Sequence, residues 1–195
     1  VDAYKDVIRQ LGKDGWLGIG WPTEYGGQNR SMVEQLIFTD VAAVAGVPIP
    51  YLTLNTVGPT IMRYGTEEQK EYFLPQILAG ELHFSIGYSE PGSGTDLASL
   101  KTRAVREGDE WVINGTKTWA TNGGIANVHV VVASVDPELG SKGHASFIIP
   151  PGTRGLAQGQ KFKKHGIRAS HTAEVVLDDV RVPGSCLLGG KEKLD

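Results

Sequence analysis

Cysteine is almost absent from this sequence, since Cys186 is the only one among 195 residues. A single cysteine cannot close an internal disulfide, so the chain is not typical of a disulfide-stapled extracellular domain. The sequence also has no apolar run of transmembrane length and no signal-peptide pattern. We therefore expect a cytoplasmic location and no membrane span, with a mature mitochondrial matrix protein as the alternative.

Excess positive charge is missing as well. The formal net charge is −3 and no basic run is longer than Lys163-Lys164, so nothing here predicts nucleic-acid binding. The histidines are scattered without the spacing of metal ligands, so no metal site is predicted. Gly18-Ile19-Gly20 and Gly92-Ser93-Gly94 each lack the third glycine of a dinucleotide-binding fingerprint, and no Walker motif occurs.

The first 82 residues have apolar side chains at helical spacing. Capping-box patterns begin at Ser31 and at Thr66, each with Glu or Gln three residues later. The first box precedes an apolar helix face made of Val33, Leu36, Ile37, Val41 and Val44. We predict an N-terminal α-helical domain over residues 1–82.

From residue 83 onward the pattern becomes short strands separated by turns. The strands are predicted at 102–106, 111–113, 116–120, 127–134, 145–150 and 174–182. Glu107-Gly108-Asp109-Glu110 and Asn114-Gly115 are predicted as hairpin turns. The fold class is therefore α+β, with the helical domain followed by a small antiparallel β-barrel or sandwich over residues 83–190.

Neither end of the sequence looks like the end of a whole protein. The chain opens at Val1 directly in helical periodicity, and residues 188–195 form a polar tail. We expect a piece of a longer chain.

The stretch from Tyr88 to Asp96 suits a ligand loop. Pro91 fixes a bend, and Gly92 and Gly94 allow the backbone to approach a ligand closely. Exposed N–H groups beside hydroxyl side chains can bind an anion or the polar edge of a planar ring. A plain turn with an Asp-capped exit explains the same residues.

Residues 119–124, Trp-Ala-Thr-Asn-Gly-Gly, are the second candidate. Trp119 is expected at a strand end, where its indole can pack against a planar cofactor. Thr121, expected in the loop beyond, can then hydrogen-bond the edge of the cofactor ring. The alternative is a core tryptophan followed by a turn.

Taken together, these motifs resemble the acyl-CoA dehydrogenase family. The resembling segments follow one another along nearly the whole chain: residues 21–27 (WPTEYGG), 64–70 (YGTEEQK), 89–96 (SEPGSGTD), 114–123 (NGTKTWATNG), 166–170 (GIRAS) and 178–183 (DDVRVP). A smaller departure is His171, where many relatives carry aspartate after the serine.

The resemblance implies FAD as cofactor. The cofactor-binding residues that it implies are Tyr88, Ser89, Gly94, Thr95, Trp119, Ala120 and Thr121. Thr95 would also lie near the substrate thioester, Trp119 along the isoalloxazine, and Thr121 near its N5 and O4 edge.

The activity implied is α,β-dehydrogenation of an acyl-CoA, with electrons passed to an electron-transfer flavoprotein, in a homo- or hetero-oligomer such as a dimer or tetramer. In the family the catalytic glutamate lies in a C-terminal helical domain that these 195 residues do not include. No catalytic residue is therefore assigned, and the chain alone is expected to be inactive. Glu90 is expected to have a structural role.

Three alternatives stay open at this point. A related acyl-CoA or nitroalkane oxidase and a two-component flavin monooxygenase would use the same fold, and they differ in how reduced flavin meets oxygen. A non-catalytic subunit of a heteromeric dehydrogenase would carry the flavin loops without a base.

Overall fold

The computed structural model describes residues 2–190, and the chain divides into two compact units between His83 and Phe84. The last five residues of the predicted polar tail, 191–195, lie outside the described residues.

The first unit is helical. Its helices are α1 (Asp2–Lys13), α2 (Met32–Val44), α3 (Gly58–Tyr64) and α4 (Glu67–Leu78), with a π-helical turn at Thr53–Val57 leading into α3. Both predicted capping boxes are confirmed. The Ser31 hydroxyl accepts from the Glu34 N–H at 3.2 Å and the Glu34 carboxylate accepts from the Ser31 N–H at 2.8 Å, and Thr66 and Gln69 repeat the arrangement at α4. None of the helices within residues 2–190 is long and apolar enough to cross a bilayer.

Trp21 lies in the core of this unit. Its indole N–H donates to the Leu54 carbonyl at 3.0 Å, so the one polar atom of a buried ring has a partner. Gly58 leaves room for that ring, because a Cβ at Gly58 would come within 2.1 Å of the indole. The aromatic side chain thereby fixes the start of α3.

The predicted apolar face of α2 is present but exposed. Its side chains are between 57% and 92% exposed: Val33, Leu36, Ile37, Val41 and Val44. Met32, the first residue of the helix, is also exposed. The helix contributes Ala42 to the core. Helical periodicity predicted the face correctly, but it does not determine whether the face is covered.

The second unit is a curled seven-stranded sheet, which confirms the predicted fold class. Its strands are β1 (Phe84–Gly87), β2 (Arg103–Glu107), β3 (Glu110–Thr121), β4 (Val128–Ser134), β5 (His144–Ile149), β6 (Leu156–Lys161) and β7 (Thr172–Pro183). The order is β1-β4-β2-β3-β7-β6, with β5 on β4.

The sheet is mixed rather than purely antiparallel. β1 pairs with β4 in parallel, and β2 meets β4 in parallel at a single residue pair, Arg103 with Ser134. The chain passes through the long segment 88–102 and the β2–β3 hairpin before β4 returns beside β1. Such a long-range parallel pairing leaves no turn signal in the sequence.

The predicted hairpin turn at Asn114-Gly115 is wrong, because β3 runs through it without reversing. Ile113 pairs with Val180 and Gly115 with Leu177, so β7 carries one extra residue opposite this point. The Asn114 side chain accepts from the Asp179 N–H at 2.8 Å, so this N–H of the bulged segment has a hydrogen-bond partner. The dipeptide therefore lies opposite a β-bulge, in which an extra residue bends the strand without ending it.

The core of this unit lies among β3, β4, β5 and β7. Trp111 meets Phe147 edge-on with ring centroids 5.4 Å apart, and branched aliphatic side chains such as Ile113 and Val180 surround them. Trp111 is near the start of β3 and Trp119 near its end. The packed core therefore holds the first part of a long strand, and the far end of that strand presents the exposed side chain of Trp119.

Candidate functional site

The glycine loop, residues 88–96, follows β1 and is folded tightly on itself. The Glu90 N–H donates to the Ser93 carbonyl at 2.8 Å, and the Ser93 N–H donates back to the Glu90 carbonyl at 3.1 Å. The Ser93 hydroxyl is buried and donates to the Asp96 carbonyl at 2.7 Å. These bonds fix the turn before any ligand arrives, which is the condition for a preorganised binding loop.

Gly92 and Gly94 lie beside open space. A Cβ at either position would meet no atom within 4 Å, and neither residue has a left-handed φ. Neither the backbone nor the packing of the unit therefore demands glycine here. A ligand that approaches the loop closely gives the two glycines a physical reason.

Trp119 lies in a β-bulge of β3. Lys117 pairs with Val175 and Ala120 with Ala173, so β3 carries one extra residue between them. Trp119 itself has φ of 56°, a left-handed conformation that is strained for a bulky side chain. Bulges of this kind re-aim a side chain and concentrate at functional sites.

The Trp119 indole is covered on one face only. It stacks on the Phe162 ring, with centroids 4.0 Å apart and planes 22° from parallel. Trp119 is nevertheless 60% exposed. A rigid aromatic platform with a free face can accept a second planar ring by offset stacking.

Hydrogen bonds join the two predicted segments. The Thr118 N–H donates to the Ser89 carbonyl at 2.8 Å, and the Lys117 ammonium donates to the Tyr88 carbonyl at 3.2 Å. The glycine loop and the Trp119 bulge are therefore neighbours in one unit, although the bonded residues are 29 positions apart in the sequence.

The remaining predicted residues differ in what they present to a ligand. Tyr88 is 42% exposed, and Gly94 and Thr95 are exposed. Ala120 is 1% exposed, so it can reach a ligand only through its backbone. Thr121 is the last residue of β3, which corrects the expectation that it lies in the loop beyond.

His171 and Asn122 support the end of β3. The Asn122 N–H donates to the His171 carbonyl at 2.8 Å, and the Asn122 side chain donates to the Phe84 carbonyl at 3.0 Å. His171 is half-buried. Burial lowers the pKa of its imidazole, and the positive charges of Lys161 and Lys164 lower it further. The backbone carbonyl of His171 anchors the end of β3 beside Trp119.

Lys117 is the residue that sequence reasoning missed. It is fully buried, and its ammonium lies 2.8 Å from the Glu90 carboxylate. Burial works to raise the pKa of Glu90, but hydrogen bonds from Lys117, Thr102 and Lys101 outweigh it and lower that pKa to about 2. A carboxylate of such low basicity is a poor general base, which agrees with the expected structural role. No local pattern links positions 90 and 117.

Comparison with known proteins covers both units. The model of the acyl-CoA dehydrogenase middle domain matches residues 85–180, and that of the acyl-CoA dehydrogenase N-terminal domain matches residues 2–81. The chain is 52% identical over 186 residues to acyl-CoA dehydrogenase FadE26 of Mycobacterium tuberculosis, which covers 93% of this chain and 46% of that protein.

Two solved structures superpose closely. The ChsE4-ChsE5 complex from Mycobacterium tuberculosis matches with a TM-score of 0.90 at 48% identity, over 96% of this chain and 48% of the other. The Tcur3481-Tcur3483 steroid ACAD matches with a TM-score of 0.91 at 46% identity, over 97% and 49%. The chain spans about half the length of the relatives it matches.

Proposed function

This chain belongs to the acyl-CoA dehydrogenase family, and we propose that its second unit forms one wall of an FAD site. The observation that carries the proposal is the half-open aromatic stack at Trp119, hydrogen-bonded through its neighbours to a loop whose glycines face open space. A planar ring on the free face of the indole would lie beside that loop.

Each proposed contact follows from what the residue presents. The free face of Trp119 would stack on the isoalloxazine, and the hydroxyl of Thr121 and the backbone of Ala120 would bind its polar edge. On the loop side, the backbone and side chains of Tyr88, Ser89 and Thr95 contact the flavin, and Gly94 leaves room for it. These groups lie on a preformed scaffold, so little ordering accompanies binding.

A bound flavin supplies the two-electron acceptor for α,β-dehydrogenation of an acyl-CoA thioester. The chain itself orients the ring, shields one face from water and offers the exposed Thr95 hydroxyl toward the thioester. Glu90 is held as a low-pKa carboxylate and is a poor base; we propose that the base that removes the α proton lies outside these 195 residues. An electron-transfer flavoprotein would be the electron acceptor, and the protein works in the cytoplasm.

The test is anaerobic reduction of the flavin in the full-length protein. The purified protein is expected to be yellow, and a suitable acyl-CoA is expected to bleach it when oxygen is excluded. Absence of bleaching across a panel of acyl chain lengths and shapes would contradict the proposed activity. Rapid peroxide formation in air would indicate an oxidase instead, and dependence on a separate reductase would indicate a monooxygenase.

A second, finer proposal concerns the substrate and the assembly. Identities of 46% and 48% to a steroid ACAD and to a two-protein complex favour a bulky steroid-linked acyl group and a hetero-oligomer. The same bleaching assay separates the two substrate classes when straight-chain thioesters are compared with a steroid side-chain thioester. Bleaching by the straight chains alone would refute the steroid proposal.

The assembly needs its own measurement. We expect the full-length protein, co-expressed with a second dehydrogenase-like subunit from the same genome, to elute as one complex with bound flavin. If the protein elutes alone, holds flavin and turns over acyl-CoA by itself, the heteromeric and non-catalytic-subunit proposals both fail.

A further inference from the structure

The ion pair between Glu90 and Lys117 is buried at the junction of the glycine loop and the Trp119 bulge. The side chains are 7% and 0% exposed, and the ammonium lies 2.8 Å from the carboxylate. Taking two charges out of water is costly, and packed apolar side chains of the same volume are often as stable. Stability alone is therefore a weak reason for this pair.

The carboxylate of Glu90 accepts from three donors, which lie in two segments of the chain. One oxygen accepts from the Lys117 ammonium and from the Thr102 N–H at 2.8 Å each, and the other accepts from the Lys101 N–H at 2.7 Å. The loop is thus tied both to β3 and to the segment that enters β2. Charge-assisted bonds of this number define a position closely.

Lys117 makes a second contact that bears on the loop. Its ammonium also donates to the Tyr88 carbonyl at 3.2 Å, and the next residue, Thr118, binds the Ser89 carbonyl. Three consecutive loop residues, 88–90, are therefore held by two consecutive residues of β3. Trp119 follows immediately, so the same contacts set the distance between the loop and the indole.

Gly87 leaves space for the Lys117 side chain, because it has no Cβ. A Cβ at Gly87 would lie 2.7 Å from the Lys117 Cγ and 3.1 Å from its Cβ. These atoms are close to the backbone of β3 and cannot swing away freely. Gly87, the last residue of β1, thus lets the buried chain of Lys117 reach Glu90.

We propose that Glu90 and Lys117 are a positioning pair, which fixes the glycine loop relative to the Trp119 bulge. In this position the loop and the bulge can both contact the same flavin. This inference rests on the proposed flavin site. Glu90 and Lys117 act through the backbone of residues 88–90 and through Trp119, and neither touches the reacting atoms.

The test compares Glu90→Gln, Lys117→Met and the double variant in the full-length protein. Each is stripped of flavin and titrated with FAD, and the absorption spectrum of the bound flavin and the apo-protein thermal midpoint are recorded. Each single variant leaves one buried charge unpaired, so its thermal midpoint is expected to fall. The double variant removes both charges, so its midpoint is expected to recover.

The flavin readout separates positioning from stability. We expect the double variant to bind FAD at least about tenfold more weakly than wild type, with a shifted spectrum, although its midpoint has recovered. Wild-type FAD affinity and an unchanged spectrum in the double variant would overturn the positioning role. Gly87→Ala, which keeps both charges, is expected to weaken FAD binding in the same direction, and wild-type affinity there would overturn the role even if the double variant failed to fold.

A matched control uses the exposed ion pair at the other end of the β2–β3 hairpin, Arg181 with Glu107 at 2.9 Å. Arg181→Met is expected to leave FAD affinity and spectrum unchanged, and an equal loss there would count against a role particular to Glu90 and Lys117. If wild-type protein binds no FAD, the proposed function fails together with this inference. If wild type binds FAD and the variants match it, only the positioning role fails.

Discussion

At the residue scale, the site depends on side chains that the unit's own packing does not explain. Trp119 accepts backbone strain and stays exposed, and the glycines at 92 and 94 face open space. Buried aromatic residues and glycines in left-handed turns have ordinary structural causes, but these three residues do not. The backbone strain and exposed indole of Trp119, and the open space at the two glycines, are explained if a bound ligand completes the packing.

Gly94→Val tests this directly. A Cβ at Gly94 would meet no protein atom within 4 Å, and Gly94 does not have a left-handed φ. The apo-protein thermal midpoint should therefore stay within about 2 °C of wild type. FAD affinity should fall by about tenfold or more, because the side chain fills the space proposed for the ring. Titration of apo-protein with FAD measures it, with Ala98→Val, an exposed position outside the proposed contacts, as control. Unchanged FAD affinity in Gly94→Val would show that the glycine loop is not part of the FAD site.

At the element scale, local chemistry predicts helices well and strand pairing poorly. The capping boxes at Ser31 and Thr66 are written within four residues, and both are found. Asn114-Gly115 is an equally strong local signal, yet β7 pairs across it and tertiary pairing overrides the turn. The ion pair between Glu90 and Lys117 joins residues 27 positions apart, so no local reading of the sequence reveals it.

Ser31→Ala should destabilise the helical unit by about 1 kcal/mol, because the Glu34 N–H loses its acceptor at the start of α2. Ser31→Thr keeps a hydroxyl that can accept from the Glu34 N–H and donate to the Glu34 carboxylate, so it should stay near wild type. Urea unfolding followed by circular dichroism measures both variants. Equal stability of the Ala and Thr variants would mean that the cap does not stabilise α2.

Gly115→Ala should be more damaging, by about 1–3 kcal/mol, because its Cβ would lie 2.4 Å from the Thr102 hydroxyl oxygen. The same urea series measures the loss. Gly92→Ala, in open space, is the matched control and should be near neutral in the apo-protein. If Gly115→Ala unfolded like wild type, the strand could not run through Asn114-Gly115 as described.

At the scale of the whole molecule, two buried histidines make the free energy of unfolding fall as the pH is lowered. Burial lowers the pKa of His83 and of His129 to about 4 from an ordinary value of 6.5. The unfolded chain therefore binds more protons between these values, and stability present above pH 6.5 is lost as the pH falls toward 4. The pKa of Glu90 is lowered from 4.5 to about 2, so its contribution to stability is lost as the pH falls from 4.5 toward 2.

We expect the free energy of unfolding to fall by up to about 1.4 kcal/mol per pH unit for each histidine between pH 6.5 and 4. His129→Gln should remove one histidine's share of that slope. Urea unfolding at several pH values between 7.5 and 4.5 measures the slope for both proteins. An identical slope in wild type and variant would show that folding does not lower the pKa of His129.

The glycine loop and the Trp119 bulge are proposed to hold one wall of a flavin site, and a crystal structure of the full-length protein with FAD bound is the sharpest test. We expect the isoalloxazine on the free face of Trp119, beside Gly94, with Phe162 still stacked behind the indole. FAD bound elsewhere, with Trp119 and Gly94 still exposed to solvent, would show that these residues do not form the site.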